Sequence, residues 1–108
     1  MRLSPADPHT FTMRTATAAA HFVAGRSETA LTWAEQVAWE RPGFVIAAIV
    51  VAAAAGQAGR SEMAGRALER LAEIEPGLHL ANLRDYWPVG RADDLERWRE
   101  GLRRAGLS

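Results

Sequence analysis

A six-residue phrase is written twice in this chain, GRSETA at 25–30 and GRSEMA at 59–64, 34 residues apart. Aligned over 25–43 and 59–77, nine of nineteen positions are identical: Gly, Arg, Ser, Glu, Ala, a second Glu, a second Ala, and a closing Pro-Gly. A fixed period of this size marks a helical repeat, in which each unit is one supersecondary element that buries its apolar face on its neighbour. Each shared residue has a physical job. Gly25 and Gly59 can take the positive φ that ends a helix. Ser27 and Ser61 are predicted to cap the next helix, with Glu28 and Glu62 in its first turn beside the positive dipole end. Ala30 and Ala64 are small where two antiparallel helices must touch. Pro42-Gly43 and Pro76-Gly77 stop the second helix of each unit.

Each unit therefore reads helix, tight turn, helix, stop. The predicted helices run over about 8–24, 28–41, 44–57 and 62–75, then a shorter one over 79–86 that ends before Pro88, and a last one over 94–105. Asp7-Pro8 has the form of an N-cap followed by a first-turn proline. Asp93 with Glu96 forms a second N-cap signature, and Gly106 follows the end of the last helix. No segment alternates at the period of a strand, so the expected fold is all-α. Alanine, with 22 of 108 residues, agrees, because it costs least in helix propensity and lets helices approach closely.

A chain of 108 residues is one domain, 1–108, with repeat one at about 8–43, repeat two at about 44–77 and a C-terminal segment at about 78–108. Its longest apolar run, Phe44 to Ala55, falls short of the roughly 20 residues that span a bilayer, so it predicts a buried helix. Thirteen basic residues, all arginine, balance thirteen acidic ones. That neutrality argues against nucleic acid or a membrane surface as partner. The absence of cysteine excludes disulfides, thiolate metal sites and a cysteine nucleophile. With no signal-peptide segment in MRLSPADPHT, a cytoplasmic location is expected.

The 34-residue helix-turn-helix unit resembles the tetratricopeptide repeat. The second-helix alanine of that family falls at Ala30 and Ala64, its closing proline at Pro42 and Pro76, and the small residue of its first helix at Ala18 and Ala52. The family's large aromatic in the first helix is replaced by His21 and Ala55, and its usual Trp by Arg14 and Ala48, so these repeats are degenerate. The resemblance covers about residues 8–77 and implies an α-solenoid of two repeats with a capping helical segment. The remainder is similar to the C-terminal end of tetratricopeptide regions in bacterial class III adenylate cyclases and related signalling proteins, on the ending Gly101-Leu102-Arg103-Arg104-Ala105-Gly106-Leu107. That likeness implies the C-terminal part of a larger signalling protein.

In the resembled family the concave face is lined from the first helix of each repeat. Here those positions are Thr12, Thr15, Ala19 and Phe22, then Ile46, Ile49, Ala53 and Gly56. The groove so formed is apolar and uncharged, and lacks the Lys and Asn that clamp a peptide carboxylate in chaperone-binding members. It is expected either to be covered by the C-terminal segment or to hold an apolar partner surface. The last helix carries Leu95, Trp98, Leu102 and Ala105 at helical spacing and is expected to cap the open end of the stack.

No catalytic constellation, cofactor motif or metal set is legible. His21 sits on a helix face with Ala18 and Ala24 and reads as a core or boundary residue, and no two histidines are spaced to share a metal. Asp93-Asp94 reads as a helix cap. The basic cluster Arg91, Arg97, Arg99, Arg103 and Arg104 suits a helix C-terminus; a DNA-binding reading would need a basic face that the charge balance does not supply. The expected function is protein–protein interaction, binding a protein or peptide or a second copy of the chain. The alternative is a regulatory C-terminal domain of a nucleotide cyclase. The surplus of tryptophan (Trp33, Trp39, Trp87, Trp98) and the apolar residues Phe22, Ile46 and Ile49 predict self-association.

Overall fold

A computed structural model describes residues 8–85 and 92–107. Among them every regular element is helical: α1 Pro8–Val23, α2 Ser27–Glu40, α3 Val45–Gln57, α4 Ser61–Ile74, a 3₁₀ segment Leu80–Asp85 and α5 Ala92–Ala105. Where six helices are expected, the described residues hold five α-helices and, in place of the short one, an irregular 3₁₀ segment.

The repeated phrase folds the same way twice. Gly25 and Gly59 have φ of 88° and 76°. At the first turn Gly25 N–H donates to the Phe22 carbonyl and Arg26 N–H to that of His21; at the second, Gly59 donates to Gly56 and Arg60 to Ala55. This is the paired-bond Schellman ending of a helix. The next helices begin at once, with Ala30 N–H donating to Arg26 and Ala64 to Arg60. The N-cap residues are therefore Arg26 and Arg60, and neither makes a side-chain cap bond. The expectation that Ser27 and Ser61 cap these helices is corrected. One residue closes the first helix and opens the second, which leaves both serines already inside the helix. Glu28 and Glu62 do lie in the first turns.

The stops also repeat. Arg41 and Glu75, each before a proline, take φ, ψ of −132°, 75° and −149°, 75°. The proline ring disfavours the helical region for the residue ahead of it. The short helix expected at 79–86 is irregular because Asn82 competes with the backbone for partners. Its Oδ1 accepts from His79 N–H and its Nδ2 donates to the Gly77 carbonyl, both at 2.7 Å. At the other predicted caps, Asp7 lies outside the described residues. Asp93 falls inside α5, which begins at Ala92, rather than ahead of it.

The apolar run becomes the centre of the fold. All nine residues from Ala47 to Ala55 are buried, as a helix apolar on every side must be. The other four α-helices all pack on α3. Ala30 and Ala64, at 0% and 2% exposure, are both buried in the core, as the repeat alignment expects. The last helix does not extend the stack as a further layer on α4. It packs chiefly on α3 and only lightly on α4 and the 3₁₀ segment. The reason is local: a Cβ on Gly56 would lie 2.1 Å from the Gly101 carbonyl oxygen, and one on Gly101 would lie 2.7 Å from that of Ala53. Two glycines let the backbones of α3 and α5 touch. Leu95, Trp98 and Leu102 then point inward, with Trp98 1% exposed.

Candidate functional site

Two surfaces flank α3. The first is the predicted groove. Thr15, Phe22, Ile49 and Ala53 are buried, Ala19, Ile46 and Gly56 are half-buried, and Thr12 is exposed. Thr15 is satisfied within its own helix, its hydroxyl donating to the Phe11 carbonyl at 2.8 Å. At the Phe22–Ala53–Gly56 end, α5 lies over the surface. The Trp98 indole stacks on Phe22 with ring centroids 4.1 Å apart and planes at 21°, and Gly101 rests on Ala53. Of the two fates open to this groove, that end is covered by the chain itself.

Two basic residues of α5 reach other elements, and the rest pair within the helix. Arg97 donates to the Val23 carbonyl at 2.9 Å, supplying a cation and a donor to the C-terminus of α1. Arg99 pairs with Glu96 and reaches the Leu80 carbonyl. Arg103 and Arg104 pair with Glu100, and the Arg104 hydrogen bond foremost holds that carboxyl below its ordinary range. Arg91 lies outside the described residues. His21 is a boundary residue: its Nδ1 accepts from Arg26 Nε at 2.8 Å.

The second surface is a groove of about 350 Å³ between α2 and α4. Ala48 and Val51 form its floor, Glu35, Ala38 and Trp39 its α2 wall, and Met63, Arg66 and Arg70 its α4 wall. Near its N-terminal end Arg60 pairs with Glu28 at 2.9 Å, joining the two repeated phrases; that hydrogen bond raises the Arg60 pKa above its usual value. Trp39 stands on the rim with 87% of its surface exposed. Both large apolar side chains exposed among the described residues, Trp39 and Met13, lie outside the predicted groove. The signal for Trp39 was present in the repeat: its counterpart 34 residues on is Glu73, an exposed glutamate.

Among the described residues no three His, Asp or Glu are grouped to hold a metal ion, and no helix is long and apolar enough to cross a membrane. No family model, curated protein or solved structure matches the chain.

Proposed function

We propose that this chain is a protein–protein interaction module of the tetratricopeptide kind: a two-repeat α-solenoid closed by its C-terminal helix, acting by binding rather than by chemistry. The observation that carries the reading is the recurrence of the helix-ending and helix-starting backbone bonds 34 residues apart, from Gly25 and Arg26 to Gly59 and Arg60 and from Arg41 to Glu75. Such a unit stacks and presents surfaces built from small side chains, and its usual use is to hold another polypeptide. The exposed Trp39 beside an apolar groove supports this, since tryptophan is enriched where protein interfaces concentrate their binding energy.

Site-specific photo-crosslinking tests the proposal. A photoreactive residue is placed in turn at exposed positions 13, 39 and 72, in the cells that make the protein. Covalent adducts with a polypeptide at one or more of these positions are expected. Absence of adducts at all three, with the chain folded, overturns the reading. The second reading, a regulatory segment of a nucleotide cyclase, rests on the Gly101–Leu107 ending alone. It is tested by the DNA ahead of the Met1 codon: an open frame encoding a cyclase domain is its expected outcome, and an in-frame stop there removes it.

A further inference from the structure

We propose that the α2–α4 groove seats a second copy of this chain, paired about a two-fold axis running along the groove, so that each copy's Trp39 indole enters the other's groove. The proposal rests on the interaction-module reading and adds the surface and the partner.

Three observations carry it. The first is that the surface offers both halves of a contact. Trp39 projects an indole that is 87% exposed, and beside it lies an opening of about 350 Å³ with an apolar floor of Ala48 and Val51. That volume is at the small end of what a binding pocket encloses, a size for one large side chain rather than a folded element. A surface that carries its own knob and its own hole is what an isologous two-fold contact requires.

The second is charge. The α2 wall carries Glu35 and the α4 wall carries Arg66 and Arg70. An axis along the groove sets α2 of one copy against α4 of the other, so each Glu35 faces the arginines of its partner. An acidic peptide would meet Glu35, and a basic one would meet Arg66 and Arg70. A second copy presents both signs in the complementary order.

The third is that these arginines are weakly held. Arg66 stands 3.8 Å from Glu62, with both side chains largely in solvent. Arg70 reaches the Pro42 carbonyl at a long 3.4 Å. Pairs of this kind hold little energy against re-pairing. The arginines also bring cations to an entering indole, whose face attracts them.

Sedimentation equilibrium of the full chain from low to high micromolar concentration tests the proposal. A concentration-dependent dimer is expected. Trp39→Ala should raise its dissociation constant by roughly tenfold or more, as truncation of a central aromatic anchor does. Glu35→Arg should weaken pairing, and adding Arg70→Glu should restore it by exchanging the two charges across the axis. Helix content by circular dichroism accompanies each variant; should the charge-swapped chain fail to fold, Trp39→Ala still decides. A chain monomeric throughout overturns the proposal, and so does saturable binding of an acidic peptide to a monomeric chain. A dimer indifferent to Trp39→Ala also overturns it, while leaving the interaction reading standing on another face. Photo-adducts with a different protein and none with a second copy separate the two in the same way.

Discussion

On one side of α3, Gly56 admits the backbone of Gly101 and Phe22 stacks on Trp98, so that a segment of the same chain covers the apolar surface. On another side, Ala48 and Val51 floor a groove that α2 and α4 border without closing. Both sides begin from the same alanine-rich helix, buried from Ala47 to Ala55. The difference lies in what stands beside it. Paired glycines let a third backbone descend to contact distance, whereas the backbones of α2 and α4 each lie against that of α3 but not against one another. Two tryptophans mark the outcome, Trp98 at 1% exposure and Trp39 at 87%. Burial of an aromatic depends here on whether a partner helix can approach, not on the residue type.

The comparison breaks most readily at Trp98. Trp98→Ala removes a fully covered indole and its stacking on Phe22. Cavities of that size cost about 3–5 kcal/mol. A chemical denaturation midpoint should fall accordingly with an unchanged slope. A loss below about 1 kcal/mol would mean that the site collapses freely and α5 is not an integral part of the core.

Next in size are insertions at the small-residue contacts. Gly56→Ala places a methyl 2.1 Å from the Gly101 carbonyl oxygen and 2.8 Å from Ala105 N. Because the obstacle is backbone, α5 must shift as a whole, and a loss of about 1–3 kcal/mol or more is expected. Ala30→Leu and Ala64→Leu should each cost about 1–3 kcal/mol by overpacking the core at equivalent places in the two units. Similar values at these two sites would support the repeat equivalence. An unchanged midpoint in both would count against it. Hydrogen exchange sharpens the result: Gly56→Ala should expose α5 amides before those of α2, whereas Ala30→Leu should not.

The elements were legible in the sequence; of the closure, the inward face of α5 was legible, covering by the C-terminal segment was one of two alternatives, and the seat of α5 on α3 was not legible. The 34-residue shift placed α1 to α4 within a residue or so, because glycine and proline act locally on φ and on the preceding residue. Burial within the Phe44–Ala55 run was legible for a different reason: a helix apolar on every side has no face to offer water, and Ala47–Ala55 are buried. The serine caps were misplaced by one residue because a Schellman turn that runs straight into the next helix is a matter of backbone economy, which side-chain preference does not report. The path of α5 depends on Gly56 meeting Gly101, residues 45 apart, and neither carries a side chain whose pattern could announce the contact. The open groove was not legible in the first-helix positions, because its walls come from the second helices of the repeats.

A subtler contrast lies between neighbours. Glu40 follows Trp39 directly, yet it is tied back to α1, accepting from Arg14 Nη1 at 3.1 Å. The hydrogen bond from Arg14, aided by the charges of Arg14 and Arg41, holds the Glu40 carboxyl below its ordinary range. A carboxylate depressed in the folded state stabilises above its unfolded pKa, and that stabilisation is lost as pH falls through the folded value. The stability gap between the parent chain and Glu40→Gln should thus be present at neutral pH and shrink in acid below the ordinary carboxylate range. Thermal melts at the two pH values check this; a gap that persists in acid would assign the residue's role to packing rather than charge.

The smallest expected effect is also the sharpest for the comparison. Trp39→Ala removes as large a side chain as Trp98→Ala, but in the isolated chain at low concentration it should change stability by no more than about 0.5 kcal/mol, since an exposed side chain has little packing to lose. The pair of substitutions therefore separates two meanings of tryptophan in one small fold. If Trp39→Ala destabilises the dilute monomer by as much as Trp98→Ala does, the indole is packing within its own chain and the α2–α4 side is closed after all. If it leaves the dilute chain untouched and lowers stability only at concentrations where copies pair, the energy of that indole belongs to an interface. Dimer binding then raises the melting temperature of the parent with concentration and leaves that of the variant flat.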